Sequence, residues 1–197
     1  PNVVVILADD LGSGDVSCYY EKSKIETPNL DALAADGMRF TDGHSNSSVC
    51  TPTRYGVLTG RYCWRSRLKK GVLDGNSTAL IEEGRETVAS VLKAGGYRTA
   101  CIGKWHLGMN FTKMKDKSKG KWDYDAPIAR GPNAVGFDYY LGIAASLDMP
   151  PYALIQNDRF LQKPTEHFEA LKKQLDYTRG GAIAPEFKHV DYLPLVA

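Results

Sequence analysis

Residues 3–7, Val-Val-Val-Ile-Leu, run without a polar interruption and close on Asp9 and Asp10. A run this short and this rich in β-branched side chains reads as a strand buried on both faces, the mark of a parallel sheet. The strand is expected over residues 2–8. Such a strand has to be covered by helices, which commits the chain to an α/β layered domain. The chain supplies them. Thr27-Pro28 offers a cap and a first turn, and Gly37 a stop, so a helix is expected over residues 28–36. Val88, Val91 and Leu92 have helical spacing and end at Gly95-Gly96, giving a helix over 87–94. Further strands are expected at 38–42, 97–102 and 152–155, with a short helical segment at 165–174; Pro150-Pro151 and Gly180-Gly181 break the later pattern.

The segment Cys50-Thr51-Pro52-Thr53-Arg54-Tyr55-Gly56-Val57-Leu58-Thr59-Gly60-Arg61 joins local structure to chemistry. A residue before proline is pushed out of the helical region, and proline suits the first helical position. Thr51 is therefore expected as the N-cap of a helix over 52–59 that Gly60 ends. Cys50 then lies just ahead of a helix N-terminus, where free N–H groups and the helix dipole favour an anion and ease ionisation of a thiol. Arg54 can turn a guanidinium fork to the same point. The same residues are also consistent with a packed cysteine beside a surface helix.

Two other groupings carry chemistry. Asp9 and Asp10 stand at the end of the first apolar run, and Gly12 and Gly14 permit the bend that would let both carboxylates converge. Oxygen donors at the carboxyl end of a sheet strand suit a hard cation, calcium or magnesium; an Asp pair at a loop start also serves as turn or cap. Lys104 and His106 are two apart near the end of a strand and so share a face, pairing a cation with an imidazole that titrates near neutrality. A solvated strand end is the plain alternative.

Taken together these segments resemble the type I sulfatases of the alkaline phosphatase superfamily. Cys-X-Pro-Thr-Arg followed by Leu-Thr-Gly-Arg is similar to their first signature, in which the cysteine is oxidised to formylglycine. Gly96-Tyr97-X-Thr99-X-X-X-Gly103-Lys104-X-His106 is similar to the second. The resemblance implies an α/β fold with a mostly parallel central sheet flanked by helices. It implies metal ligation by Asp9, Asp10 and the modified Cys50, with calcium or magnesium as the ion. It implies catalytic roles for Cys50, Arg54, Lys104 and His106, with Lys104 also gripping the sulfate. Gly136-Phe137-Asp138-Tyr139-Tyr140-Leu141-Gly142 and Ser146 are similar to the stretch that presents a polar side chain to the substrate sulfate.

What this family does is then the expectation: hydrolysis of a sulfate ester, of a sulfated small molecule or a glycan, after a formylglycine-generating enzyme has matured Cys50. A phosphonate or phosphate ester hydrolase of the same superfamily, and a truncated binder of sulfated glycan, are the other readings. Export to a periplasm, lysosome or exterior follows by analogy, with no signal peptide in the chain. Family members are more than twice as long and carry a later Asp-Asn or Asp-His pair, which these residues lack; Asn157-Asp158 has the reverse order. Residues 1–197 are thus expected to form the N-terminal part of one sulfatase catalytic domain, truncated on its C-terminal side and inactive alone.

Composition narrows the partners. With 25 Lys and Arg against 23 Asp and Glu, the charge excess is too small for a nucleic-acid binder. No apolar run is long enough for a membrane span. The lysine-rich 111–121 run reads as a solvated loop. Of four cysteines, Cys101 reads as a core thiol, while Cys18 and Cys63 could pair. Arg61 is expected to pair within the fold. Trp122, Tyr139 and Tyr140 could line a sugar site or belong to the core.

Overall fold

The computed structural model describes residues 1–116, 118, 121–172 and 177–196. The chain divides into two compact units, Pro1–Ser45 and Asn46–Ala197.

In the first unit helix α1 spans Pro28–Asp36 and ends at Gly37, as its punctuation requires. Thr27 does not cap it in the expected way. Its hydroxyl turns instead to the Asp31 carboxylate at 3.1 Å and to Ser17 at 2.9 Å. The strands expected at 2–8 and 38–42 are not formed. A strand exists only by pairing its N–H and C=O groups with a neighbour, and no neighbour is supplied within the unit. Val4 and Ile6 are accordingly 81% and 85% exposed.

The second unit carries the sheet. Helix α2 spans Cys50–Thr59 and stops at Gly60, whose φ of 65° is the left-handed cap that glycine adopts without strain. Helix α3 spans Val88–Ala94 behind a capping box in which Thr87 and Ser90 satisfy each other's main chain. Strand β1, Ala100–Lys104, begins later than expected and pairs in parallel with β2, Tyr139–Ile143. Strand β3, Ile155–Gln156, joins β2 antiparallel, and β4, Arg159–Phe160, completes a hairpin with β3 through Asn157, a residue with φ 55°. The α/β fold is therefore built on a mixed sheet of order β1-β2-β3-β4, flanked by helices. Asn157 and Asp158 form the turn of this hairpin, and the strand expected at 152–155 is displaced to it.

Residues 166–168 are not helical. They form β5, Glu166–Phe168, paired with β8, Gly181–Ile183, while β6, Leu171–Lys172, pairs with β7, Tyr177–Thr178. Partners this distant in sequence overrode a weak local helical pattern. Residues 173 and 174 of that expected helix, like 117, 119 and 120 of the lysine-rich loop, lie outside the described residues. A short helix α4, Tyr192–Val196, closes the chain.

The core gathers Tyr55 from α2, Leu107 and Met109 after β1, Tyr140 from β2 and Ile155 from β3. Tyr140 is fully buried and donates its hydroxyl to the Ile143 carbonyl at 2.9 Å, so it belongs to the core and not to a sugar site. All four cysteines are free, and burial pushes the Cys101 thiol up to about 11. Arg61 faces Glu82 at 3.8 Å, within the fold as expected.

Candidate active site

Helix α2 begins two residues earlier than its proline suggested. Val49 is the N-cap, Cys50 the first helical residue, and Thr53 N–H already reaches the Val49 carbonyl at 3.3 Å. Pro52 is tolerated because the first turn has no intrahelical acceptors for its N–H groups in any case. Thr51 is freed from capping and turns inward, with no exposed surface.

The C-terminal end of β1 meets this first turn. Lys104, the last residue of β1, donates from Nζ to Cys50 Sγ at 3.0 Å. Arg54, one turn further along α2, donates from Nη1 to the Lys104 carbonyl at 2.5 Å, which ties the helix to the strand end. The Lys104 ammonium therefore lies against residue 50, while the Arg54 guanidinium holds the main chain of the same lysine.

His106 lies just past β1, and the regular alternation that would place it on the face of Lys104 does not extend to it. Its φ is 56°, a left-handed conformation uncommon outside glycine. The ladder to β2 nevertheless continues, with Trp105 N–H on the Ile143 carbonyl and His106 N–H on the Ala144 carbonyl, each at 3.1 Å. The imidazole is buried at 1% exposure, and Nε2 lies 2.7 Å from the Leu73 carbonyl oxygen. A carbonyl can only accept, so Nε2 carries the proton. Nδ1 is then the lone-pair nitrogen, buried and without a hydrogen-bond partner among the described residues. Burial holds the pKa of His106 below its ordinary value, and the charges of Lys104 and Arg54 push it the same way; the Leu73 contact and Asp148 oppose them. The result is a neutral base held beside two cations.

The other expected residues are placed differently. Ser146 follows β2 in a turn where its carbonyl accepts Met149 N–H at 3.0 Å; its hydroxyl makes no described hydrogen bond to Cys50, Arg54, Lys104 or His106. Asp9 and Asp10 belong to the first unit, in a turn following residues that form no strand, and both are exposed. No three His, Cys, Asp or Glu side chains come together as a metal ion requires, among the described residues. Calcium takes six to eight oxygens. Asp9 and Asp10 supply only part of such an oxygen set, so an ion held by them would need further donors. Sequence reasoning missed Thr51 and Leu73, whose contacts to His106 run through main-chain atoms and leave no signal in a motif.

A cysteine at the first turn of a helix, a lysine and an arginine tied to the adjoining strand end, and a buried neutral imidazole thus lie at the C-terminal end of β1, a chemistry suited to an anion. The chain belongs to the sulfatase family: the family model described as Sulfatase matches residues 1–178. It is 41% identical over 157 residues to an N-acetylgalactosamine-6-O-sulfatase of Bacteroides thetaiotaomicron, covering 80% of this chain and 29% of that protein. It is 44% identical over 151 residues to human arylsulfatase A, covering 77% of this chain and 27% of that protein. A solved structure from a study of glycosaminoglycan metabolism by Bacteroides thetaiotaomicron superposes with a TM-score of 0.82 at 30% identity, covering all of this chain and 46% of that one. The chain thus spans less than a third of the length of these curated relatives. Among the described residues no helix is long and apolar enough to cross a membrane.

Proposed function

We propose that residues 1–197 are the N-terminal part of one sulfatase catalytic domain, and that the protein hydrolyses sulfate esters through a formylglycine derived from Cys50. The observation that carries the reading is the 3.0 Å contact of Lys104 Nζ with Cys50 Sγ at the first turn of α2.

The maturing enzyme, using an external oxidant such as dioxygen, converts the CH₂SH of Cys50 to CHO with release of its sulfur as sulfide, and the aldehyde adds water to form a geminal diol. One hydroxyl attacks sulfur, forming a new S–O bond while the ester S–O bond breaks and the alcohol departs with a proton. Sulfate is left on residue 50. His106 Nδ1, unprotonated because Nε2 holds the ring proton, takes the proton of the second hydroxyl; the C–O bond then breaks, sulfate leaves and the aldehyde returns. Lys104 and Arg54 balance the charge on the sulfate oxygens throughout, and Ser146 is assigned a supporting contact to them. Asp9, Asp10 and the modified Cys50 are the proposed ligands of a calcium or magnesium ion that would polarise the sulfate oxygens, with the other donors coming from elsewhere in the protein.

The substrate class proposed is a sulfated carbohydrate, supported by the relative named N-acetylgalactosamine-6-O-sulfatase. An exported location fits such a substrate. Two measurements test the reading in the intact protein. The peptide containing residue 50 should be about 18 Da lighter than its cysteine form. A panel of sulfate, phosphate and phosphonate esters should show sulfate turnover that Cys50→Ala abolishes; preferential phosphonate turnover overturns the reading.

A further inference from the structure

We propose that Thr51 is the positioning residue for His106, setting its backbone directly and, by holding Leu73, the carbonyl contact that fixes the tautomer of its ring. The inference rests on the reading of His106 as the proton acceptor.

Three hydrogen bonds form a closed circuit. The Thr51 hydroxyl donates to the His106 carbonyl at 2.9 Å, the Leu73 N–H donates to the Thr51 hydroxyl at 3.2 Å, and His106 Nε2 donates to the Leu73 carbonyl at 2.7 Å. Each residue donates once and accepts once. The direction of the circuit cannot reverse, because an amide N–H only donates and a carbonyl only accepts. The threonine proton must therefore point at His106, and the imidazole proton must sit on Nε2. Nδ1 is left as the lone pair, in the form that accepts a proton from a diol.

The circuit also holds His106 in its left-handed conformation, since the carbonyl that accepts from Thr51 belongs to the residue with φ 56°. Thr51 has no exposed surface and Leu73 is 6% exposed, so water does not substitute readily for any member. Polar groups linked in a ring inside a protein polarise one another, and loss of one member weakens the rest. The sequence signature leaves position 51 open, which permits its substitution without altering the fixed residues around Cys50.

The test uses the full-length enzyme, with rates referred to its formylglycine content. Thr51→Val keeps the shape and removes the hydroxyl. It should lower kcat by about tenfold to a hundredfold, the scale of a misplaced reacting group, with KM within about twofold. Thr51→Ser should stay close to wild type. In a His106→Gln background Thr51→Val should cost nothing more in kcat, because the hydroxyl acts through the imidazole. Nitrogen-15 NMR of labelled histidine, with the His106 signal assigned by its absence in His106→Gln, should show the Nε2–H tautomer in wild type and a mixture in Thr51→Val. If valine does not fold at this position, Thr51→Ala removes the same hydroxyl without its shape and should show the same losses. Unchanged kcat and tautomer in the hydroxyl-free variants, or an equal further loss in the His106→Gln background, overturns the proposal. An aldehyde-bearing wild type without sulfate ester activity instead defeats the functional reading, and the tautomer measurement then decides the role of Thr51 alone.

Discussion

Lys104 and His106 are two residues apart, yet the structure gives them opposite surroundings. Lys104 meets Cys50 with a charged group, whereas His106 is buried and kept neutral. Replacing Lys104 with alanine should lower kcat/KM for a sulfate ester by about a hundredfold or more, the scale of losing one preorganised electrostatic contact; steady-state kinetics on the formylglycine-bearing protein checks it. The pH dependence of stability follows from His106. Its folded pKa lies below the unfolded value of 6.5, so the unfolded chain binds the proton first. Stability due to keeping the ring neutral is complete above pH 6.5 and is lost as pH falls through the folded pKa. Urea denaturation at neutral and mildly acidic pH should show a decline that His106→Gln reduces. Cys50, Arg54, Lys104 and His106 were legible because the motifs fix them by residue type and spacing, and the structure brings the Lys104 side chain to Cys50 and the Arg54 side chain to the Lys104 carbonyl. Thr51 was read as a cap because its partners, His106 and Leu73, are 55 and 22 residues away and engage it through main-chain atoms.

The helices were legible where proline and glycine punctuate them. Proline at the start of α1 and Gly60 after α2 act locally, and local rules carry over into the fold. Strands depend on partners: residues 2–8 have the composition of a strand but no pairing neighbour within their own unit, whereas residues 166–168 form β5 because β8 pairs with them. Strands β3 and β4 are two residues each, too short for any period to show. Two substitutions test the element ends. Gly60→Ala, at φ 65°, should cost about 1 kcal/mol by denaturant unfolding, since alanine resists the left-handed region. Thr87→Ala should cost about 1 to 2 kcal/mol, at the upper end for a lost cap. The Thr87 hydroxyl accepts from Ser90 N–H at 3.1 Å and also donates to the buried Val135 carbonyl at 2.6 Å.

The two units of the molecule differ in what they bury. No described residue of Pro1–Ser45 is buried, whereas Tyr55, Tyr140 and Ile155 of the second unit are wholly so. Hydrogen exchange on the 197-residue chain should therefore protect the amides of 100–106 and 139–143 about a hundredfold or more beyond those of residues 1–45, because exchange follows local opening. Sequence alone does not show this division, since the apolar run at 3–7 has the composition of a core and acquires one only with a partner. The second unit also contains a close approach that reaches the chemistry. Gly75 is buried two residues after Leu73, and a Cβ there would lie 1.9 Å from the Pro150 carbonyl oxygen. The loop that holds the imidazole proton is thus pinned against the turn that follows β2. A single methyl group at position 75 would have to move that loop, and the penalty would register as slow turnover in a protein that still folds. Because the crowding atom is a main-chain oxygen that any residue at 150 would carry, position 75 is expected to stay glycine among relatives, so that selection for catalysis constrains a turn that touches neither sulfate nor sugar.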